Sequence, residues 1–396
     1  MAASHPETSQ IHMSLAIGAI AAQVIGGLVL QLSPFMIGGI IDGLSLSERD
    51  AGLIVSVEFV LLAVTAIIVA PILPRLVYRR VGFLAVGLVL LAQGASIFST
   101  SWASLIVLRG LAGIGEGLLY AVSLSIVASQ FRNPDRVYGY FQIVWALGSV
   151  ALFPVAGELT VAFAHRGILA LAAGLTLAIA PLLLLLRHIR TEPGARAAAE
   201  KADTSPLRGI MTFAAIALYL TASAAIYAFS APLGERAGLD ARAVGYALTI
   251  MTLVGLVGAG VATTLNIRWG RTIPITGFCV AFILISLTLC LSRNPTAYVV
   301  ALVGSGVVYY FSIPYLFGMA AALDRNGRWA AAAGSAYLIG FAAGPVVGGA
   351  VIEAAGYGAL AALCIVLTIA AWGLTLLVNR GLEERPQGSP ADNVLA

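Results

Sequence analysis

The sequence predicts an all-α membrane protein in which twelve transmembrane helices form two pseudo-symmetric six-helix bundles. Of its 396 residues, 60% are hydrophobic and only 10% are charged, whereas charged residues make up about a quarter of an ordinary soluble domain. Apolar runs long enough to cross a bilayer recur along the whole chain. Landmarks of the first half also return in the second half in the same order, which is typical of membrane proteins built from two related bundles.

Each predicted span is a window of about twenty mostly apolar residues, the length that crosses a hydrocarbon core of roughly 30 Å. Charged residues or clusters of Pro and Gly separate the windows. The first span follows twelve polar residues and is too long for the core of a signal peptide, so we expect it to remain as an anchor. The twelve spans are 14–41, 51–73, 82–100, 103–130, 137–163, 166–187, 209–232, 243–266, 273–291, 296–323, 328–355 and 357–379.

Basic residues predict the orientation of these spans. An even number of spans puts both termini on one side, where the loops contain sixteen of the Lys and Arg residues; the loops of the other side contain five, and Arg109 lies within a span. This asymmetry places both termini in the cytoplasm and the chain in the cytoplasmic (inner) membrane, in contact with the lipid bilayer. The same distribution explains the net charge of +4 without a basic patch, so no nucleic-acid partner is expected.

The longest connection, 187–208, is charged, rich in Pro and Ala, and falls at the middle of the chain. We expect it to be a cytoplasmic linker between an N-terminal bundle, 1–186, and a C-terminal bundle, 209–380, with 381–396 as a cytoplasmic tail. The chain is expected to act as a monomer.

The repeat between the bundles predicts parallel halves with a site between them near mid-membrane. Near the start of each half a shift of 193 aligns Gly52 with Gly245, and a shift of 198 aligns Pro34 with Pro232. Further on, a shift of 191 aligns residues of the fourth and fifth spans with their counterparts: Gly113 with Gly304, Gly115 with Gly306, Pro154 with Pro345 and Gly157 with Gly348.

These motifs resemble those of the major facilitator superfamily. GFAAGPVVGG, 340–349, matches that family's GxxxGPxxGG signature, and GSVALFPVAG, 148–157, keeps its Pro and last Gly. RGLAGIG, 109–115, is similar to the family's R-x-x-x-G-x-G, whose Arg the resemblance associates with proton coupling. Pro154, Gly344, Pro345 and Gly348 are then expected to let helices pack closely and bend during transport.

Two cytoplasmic loops depart from the resemblance. In PRLVYRRVG, 74–82, Arg79 fits the family's loop motif, but Tyr78 stands where that motif has an Asp. In TLNIRWGR, 264–271, Arg268, Gly270 and Arg271 are kept, with Ile267 in the acid position. The resemblance implies that these residues belong to a cytoplasmic gate, which here lacks the usual acids.

Apart from residues near the span ends, such as Glu158 and Glu353, three charged residues fall within predicted spans. Glu58 and Arg109 lie at similar depths in the second and fourth spans, which are neighbours in the family's fold, so we predict an ion pair; a pair that only fixes helix register is the alternative. Glu116 has no evident basic partner. Desolvation favours its neutral form, so it is a candidate to load and release a proton, the alternative being an acid that stays protonated.

The polar stripe of the fourth span is predicted to face a cavity, because Arg109, Glu116, Tyr120 and Ser123 share one helical face. Aromatic rings with a polar tip suit an amphipathic guest, although each could equally serve helix packing. Candidates on the helices that line the cavity in this family are Gln23, Gln31, Tyr219, Tyr227, Tyr309, Tyr310 and Tyr315, with Gln142 and Trp145 as weaker ones.

The sequence has no nucleotide-binding loop, nucleophile elbow or cluster of metal ligands, and its three cysteines have no CxxC spacing. We therefore expect no enzyme, cofactor, metal or disulfide, and energy from an ion gradient. The leading hypothesis is a secondary transporter of a small organic molecule working by alternating access, with efflux of an amphipathic or cationic compound in exchange for protons.

Two alternatives stay open at this stage. The fifth-span motif lacks the Gly before Pro154 that the resemblance links to exchangers, which leaves room for proton-coupled uptake of a small organic acid, with Arg109 binding the carboxylate. A lipid-handling protein or a sensor on a transporter fold is a further possibility, although a sensor is expected to carry a sizeable soluble domain.

Overall fold

The computed structural model describes residues 6–70, 72–131, 134–186, 206–265, 268–323 and 328–383. Most of the expected linker (187–205) and of the expected tail (384–396) lies outside these ranges. The helices are α1 (Pro6–Leu44), α2 (Glu48–Val69), α3 (Tyr78–Ile97), α4 (Trp102–Gln130), α5 (Pro134–Ile179), α6 (Pro206–Ala228), α7 (Ser230–Arg236), α8 (Ala241–Leu265), α9 (Thr272–Leu291), α10 (Pro295–Ala321) and α11 (Arg328–Glu383), with short 3₁₀ turns at Leu73–Arg75 and Ala180–Leu185.

Ten helices in these ranges are long and apolar enough to cross a membrane. Two of them, Ile143–Leu185 and Ala332–Arg380, have 43 and 49 residues, which is about twice the length that a bilayer needs. Each contains one non-helical residue near its middle: Ala164 with φ 51° and Gly356 with φ 76°. Gly356 adopts this left-handed backbone without strain, whereas Ala164 is strained there. The two breaks divide α5 and α11 into two helical segments each.

The seventh predicted span, 209–232, is wrong at its end. The helix stops at Ala228, and after Phe229 the chain restarts as the short helix α7. Pro232 is the third residue of α7, a position in the first helical turn where its missing N–H breaks no helical hydrogen bond. The span therefore ends before Pro232, and α7 is a separate element.

The two halves share the same helix caps. Ser47 and Asp240 precede α2 and α8, and each accepts a hydrogen bond from the amide three residues later; Ser101 and Asn294 do the same at α4 and α10. Both pairs of helices begin 193 residues apart. The repeat predicted from Gly52 and Gly245 is therefore present in the structure, with one common offset for these helices.

The halves meet through two equivalent contacts. The Gly52 Cα lies so close to the Pro345 carbonyl that an added Cβ would collide with it, and a Cβ on Gly245 would lie 2.6 Å from the Phe153 carbonyl oxygen. In the same way a Cβ on Gly349 would lie 2.5 Å from the Glu48 carbonyl oxygen, and one on Gly157 would lie 2.6 Å from that of Ala241. Contacts between the halves thus repeat as α2 on α11 and α8 on α5.

These contacts correct the register that the sequence suggested for the fourth and fifth spans. Gly157 corresponds to Gly349 rather than to Gly348, because these two glycines face the first residues of α8 and α2. Gly113 corresponds to Gly306 rather than to Gly304, because these two face the Glu58 carbonyl of α2 and the Met251 carbonyl of α8. The shift of 191 is wrong by one or two residues. Glycines recur at several short spacings in both halves, so more than one alignment pairs glycine with glycine.

Polar bonds join the halves at one end of the bundle, the end with the loop between α1 and α2, which we call the outer end after the predicted orientation. Ser47 donates to Glu353 at 2.8 Å, and Tyr357 donates to Glu48 at 3.4 Å. Arg242 pairs with Glu158, and both side chains are about half exposed. Deeper, the Val346 amide donates to Ser56 Oγ at 2.8 Å. The outer end is therefore closed.

Candidate functional site

The fourth span packs directly on the second through two glycines. A Cβ at Gly113 would collide with the Glu58 carbonyl, and one at Gly117 would collide with the Leu62 carbonyl. Gly115, on another side of α4, gives the same close approach to α3, where the Ala85 carbonyl oxygen would be 2.9 Å away. Small residues let helix backbones touch in a membrane, and here they bring Glu58 beside the charged face of α4.

The predicted ion pair is present. Arg109 Nη1 lies 3.0 Å from Glu58 Oε1, and neither side chain has exposed surface. The same guanidinium donates from Nε and Nη2 to Ser96 Oγ of α3, at 3.3 and 3.1 Å. Since Arg109 is held from two helices, it is fixed within the N-terminal half, where removing one partner would leave a buried charge unpaired.

Glu116 is also fully buried, and neither carboxyl oxygen has a hydrogen-bond partner among the described residues. The side chains of Glu58 and Gln93 nevertheless lie close enough to interact with its carboxyl, and Arg109 is the nearest cation. The Gln93 carbonyl oxygen accepts a long 3.5 Å hydrogen bond from Thr176, and its amide nitrogen has no hydrogen-bond partner among the described residues. We call Glu58, Arg109, Glu116, Gln93 and Ser96 the charged cluster. It combines one paired acid with one unpaired acid.

The prediction that the stripe of α4 faces a cavity is wrong for three of its four residues. Arg109, Glu116 and Ser123 have no exposed surface and lie inside the N-terminal half. Helices α2 and α3 supply the side chains that surround Arg109 and Glu116, and α1 approaches the backbone of Glu116 and Tyr120 at Gly26. Helical periodicity shows that residues share a face but not which neighbour covers that face.

Tyr120 remains half-buried and lies at the boundary between the halves, near Tyr337. The Tyr309 and Tyr337 hydroxyls are 2.8 Å apart, and the Tyr337 ring stacks on Phe341 at 4.8 Å with a 24° interplanar angle. Tyr310 packs edge-on against Tyr309 at 5.5 Å. With Tyr227, which neighbours Tyr310 and Tyr337, these six residues form what we call the tyrosine cluster.

Tyr337 was missed by sequence reasoning. It lies in the first segment of α11, outside the helices selected for the cavity. The offset of 192 that relates Gly157 to Gly349 also relates Trp145 to Tyr337, so the correct register would have identified it from a residue already considered. The side chain of Gln142, the other weak candidate, lies outside the described residues.

Three further cavity candidates pack within one half. Gln31 donates to Ser149 Oγ and to the Trp145 carbonyl of α5. Tyr219 is enclosed by the rings of two phenylalanines of α9, and Tyr315 is buried against Phe311. Tyr227 instead crosses the boundary, since its hydroxyl donates to the Gln31 carbonyl at 2.7 Å. Gln23 is half-buried beside Tyr120, and its carbonyl oxygen has no partner among the described residues.

Residues of the 340–349 motif pack against two different helices, α6 and α2. Gly344 packs on Ala224 and Ala225 of α6, and Gly348 packs on Ala225 and Phe229. Pro345, on another face, presents its carbonyl to α2. The motif therefore joins α11 both to its own half and to the other half. Pro154 is half-buried at the equivalent crossing of α5 and α8.

The loop arginines Arg79 and Arg268 are exposed, Arg271 is half-buried, and Gly270 takes a left-handed backbone with φ 66°. Tyr78, which stands in the place of the family's loop acid, is buried and forms a 3.0 Å hydrogen bond with Ser125 of α4. A neutral hydrogen bond therefore fastens the start of α3 to α4 at this end of the bundle.

A titratable group lies at the closed outer end. Glu235 belongs to α7, which connects two spans, and partial desolvation together with the nearby carboxyl of Asp42 raises its pKa from 4.5 to about 7. Two acids thus face each other where α1 of one half meets α7 of the other.

The sequence model of the Major Facilitator Superfamily matches residues 15–323. The chain belongs to this superfamily. No curated protein sequence matches the chain significantly. A bacterial homologue of the human lysosomal transporter Spinster, in an inward-facing and occupied conformation, has a TM-score of 0.72 at 14% identity over 98% of this chain and 100% of that one. The nucleoside transporter NupG has a TM-score of 0.71 at 14% identity, over 95% and 100%.

The same Spinster homologue in an inward-facing and unoccupied conformation gives a TM-score of 0.66 at 14% identity, over 96% and 97% of the two chains. These likenesses concern the fold. Together with the family match they show that this chain is a membrane protein of a transporter superfamily. They do not identify a substrate or an ion.

Proposed function

We propose that this chain is a proton-coupled secondary transporter that exports a small organic molecule in exchange for protons, by alternating access between the two halves. The observation that carries the proposal is Glu116: a fully buried carboxyl without a hydrogen-bond partner among the described residues, beside the Glu58–Arg109 pair. A buried acid with no cation of its own is most stable when protonated, and becomes stable as an anion only if a cation reaches it.

Arg109 is the cation within reach. While it pairs with Glu58, Glu116 favours its protonated form. When a shift of α2 against α4 moves the guanidinium toward Glu116, that acid releases its proton toward the cytoplasmic side and Glu58 takes one up from the outer side. On the return, Arg109 goes back to Glu58 and the proton passes from Glu58 to Glu116, so one proton moves inward per cycle. The net charge of the cluster stays constant, so neither arrangement leaves an uncompensated charge in the membrane. The glycine contacts of α4 with α2 and α3 allow small sliding motions of these backbones.

Access is proposed to alternate by rocking of the bundles 1–186 and 209–380 about the boundary that contains the tyrosine cluster. The breaks at Ala164 and Gly356 support twelve crossings, because they divide two long helices into spans of ordinary length. We propose that both termini lie in the cytoplasm and the protein in the cytoplasmic membrane, which the distribution of basic residues favours if there are twelve crossings. We propose that it acts as a monomer.

The alternative of organic-acid uptake through Arg109 receives less support. The guanidinium has no exposed surface and is bonded to both Glu58 and Ser96, so a carboxylate would have to displace a buried partner. Binding that is lost in Arg109→Ala but kept in Glu116→Gln would favour that alternative.

The test uses purified protein in liposomes with a pH-sensitive dye inside and an imposed proton gradient, to which candidate compounds are added singly. We expect one compound to drive proton movement opposite to its own, and this movement to fall at least tenfold in Glu116→Gln. The control is Glu158→Gln at the outer surface, which should keep it. Coupled proton movement that persists in Glu116→Gln contradicts the role of this residue, and movement in the same direction as the compound contradicts exchange.

A further inference from the structure

From the tyrosine cluster we infer the substrate class: a neutral, planar aromatic molecule that carries hydrogen-bond donors. The inference rests on the proposed transport function and deepens it. All five tyrosines are half-buried, so they retain surface that a guest could cover. They come from α4, α6, α10 and α11, which belong to both halves. A molecule bound here would therefore contact both parts that move against each other.

The arrangement of the rings selects a flat guest. Tyr337 and Phe341 stack nearly parallel at 4.8 Å, and Tyr309 meets Phe341 edge-on at 6.4 Å with a 75° angle. Parallel and edge-on partners in one cluster present both ring faces and ring edges, the two surfaces on which another aromatic ring packs well. Leu62, Ala63 and Leu338 add an apolar border to the site.

The polar groups of the site select hydrogen bonds rather than charges. Tyr309 and Tyr337 bond to each other through their hydroxyls; both oxygens keep a free lone pair, and the accepting hydroxyl keeps its own O–H free to donate. The Gln23 carbonyl oxygen beside Tyr120 is an acceptor without a partner in the described part of the chain. The Gln23 oxygen can only accept, so a guest with N–H or O–H donors satisfies it, and the tyrosine pair can accept from the same donors or donate its free O–H to the guest.

No charged side chain lines the cluster among the described residues. The three charged residues in the middle of spans, Glu58, Arg109 and Glu116, have no exposed surface and lie inside the N-terminal half. A cation would rely on tyrosine faces alone and an anion would have no basic partner, both unfavourable at this depth. This narrows the amphipathic or cationic substrate expected from the sequence to a neutral one.

The test compares three indoles that share a ring and differ in charge: indole-3-acetamide (neutral), tryptamine (cationic) and indole-3-acetate (anionic). Binding to the full chain in detergent is measured by calorimetry at pH 7. We expect the amide to bind at least tenfold more tightly than either ion. Tyr337→Leu should weaken amide binding at least tenfold and Tyr337→Phe severalfold, while Tyr246→Leu, at a half-exposed tyrosine on the outside of α8, should leave it unchanged.

Equal or tighter binding of either ion overturns the inference, and so does binding of none of the three, because the amide has every feature that the site is argued to select. The liposome assay separates this inference from the proposed function. If the amide binds in a way that depends on Tyr337 but moves no protons, the proposed proton coupling is wrong and the inferred substrate class is kept. If tryptamine is transported with proton movement that depends on Glu116, the proposed coupling is kept and the inferred substrate class is wrong.

Discussion

The α2–α4 pair of the N-terminal half and the α8–α10 pair of the C-terminal half have the same backbone packing and different chemistry. Gly113 faces the Glu58 carbonyl in the first pair, and Gly306 faces the Met251 carbonyl in the second, at the common offset of 193. With this offset Glu58 corresponds to Met251, Arg109 to Leu302 and Glu116 to Tyr309. The C-terminal half therefore has uncharged residues at the positions equivalent to Glu58, Arg109 and Glu116.

This difference shows that the charges are not needed to hold two such helices together. Glycine contacts and side-chain caps recur in both pairs, while the buried ions occur in one. A charged group inside a membrane is usually functional because it is expensive to keep there. In the proposed mechanism the N-terminal half therefore binds the proton, and the C-terminal half contributes most of the rings of the tyrosine cluster.

The largest expected effect comes from breaking the ion pair on one side only. Arg109→Leu leaves Glu58 buried without a cation and should lower the free energy of unfolding by about 3–5 kcal/mol. The double variant Glu58→Met/Arg109→Leu copies the C-terminal half, and should regain most of that stability while losing proton coupling. Denaturation in detergent measures the first effect and the dye assay the second. A single variant as stable as the double would contradict the comparison.

The next effect tests the shared packing. Gly113→Ala and Gly306→Ala each place a methyl group against a carbonyl of the neighbouring helix, so each should cost about 1–3 kcal/mol, by similar amounts in the two halves. Gly87→Ala in α3 and Gly277→Ala in α9 are matched controls, because nothing lies within 4 Å of an added Cβ there. These should be neutral or slightly stabilising. A large effect at only one of the two contact glycines would show that the equivalence is incomplete.

A smaller effect is expected from Glu235 in α7, with the uncharged Ile37 of α1 as a control. Because its pKa is raised to about 7, the stability that Glu235 contributes is present below pH 4.5 and is lost as the pH rises through about 7. Glu235→Gln should flatten this part of the pH dependence of thermal unfolding, and Ile37→Val should not. An unchanged slope in Glu235→Gln would mean that the group titrates normally.

The smallest effect concerns the Arg242–Glu158 pair at the outer surface. Both side chains are about half exposed, so Glu158→Gln should change the free energy of unfolding by no more than about 1 kcal/mol, and less at high salt. Comparing unfolding at low and high ionic strength checks this. A loss as large as that of Arg109→Leu would mean that the outer pair is shielded from water as the buried pair is, and would contradict its exposure.

Much of the fold could be read from local features. Apolar length indicated the spans, and the Arg109–Glu58 pair followed from matching depths in two spans that the family resemblance made neighbours. The register of the repeat could not be read in the same way, because Gly113 matches either Gly304 or Gly306 equally well by residue type. The break after Ala228 was missed since neither Ala228 nor Phe229 is a helix breaker.

By itself the sequence determined that the chain is a membrane protein of repeated helices, that Arg109 and Glu116 share one face of a span, and that small residues mark helix contacts. Hydrophobicity and residue volume act locally, so these properties are visible in a short window. Only the tertiary structure decided that α2 and α3 enclose the charged residues of α4, that Tyr219 and Tyr315 pack inside one half, and that Tyr120 of one half meets Tyr337 of the other. Such meetings depend on how helices rotate and cross, and residues more than 200 positions apart carry no local signal of that geometry.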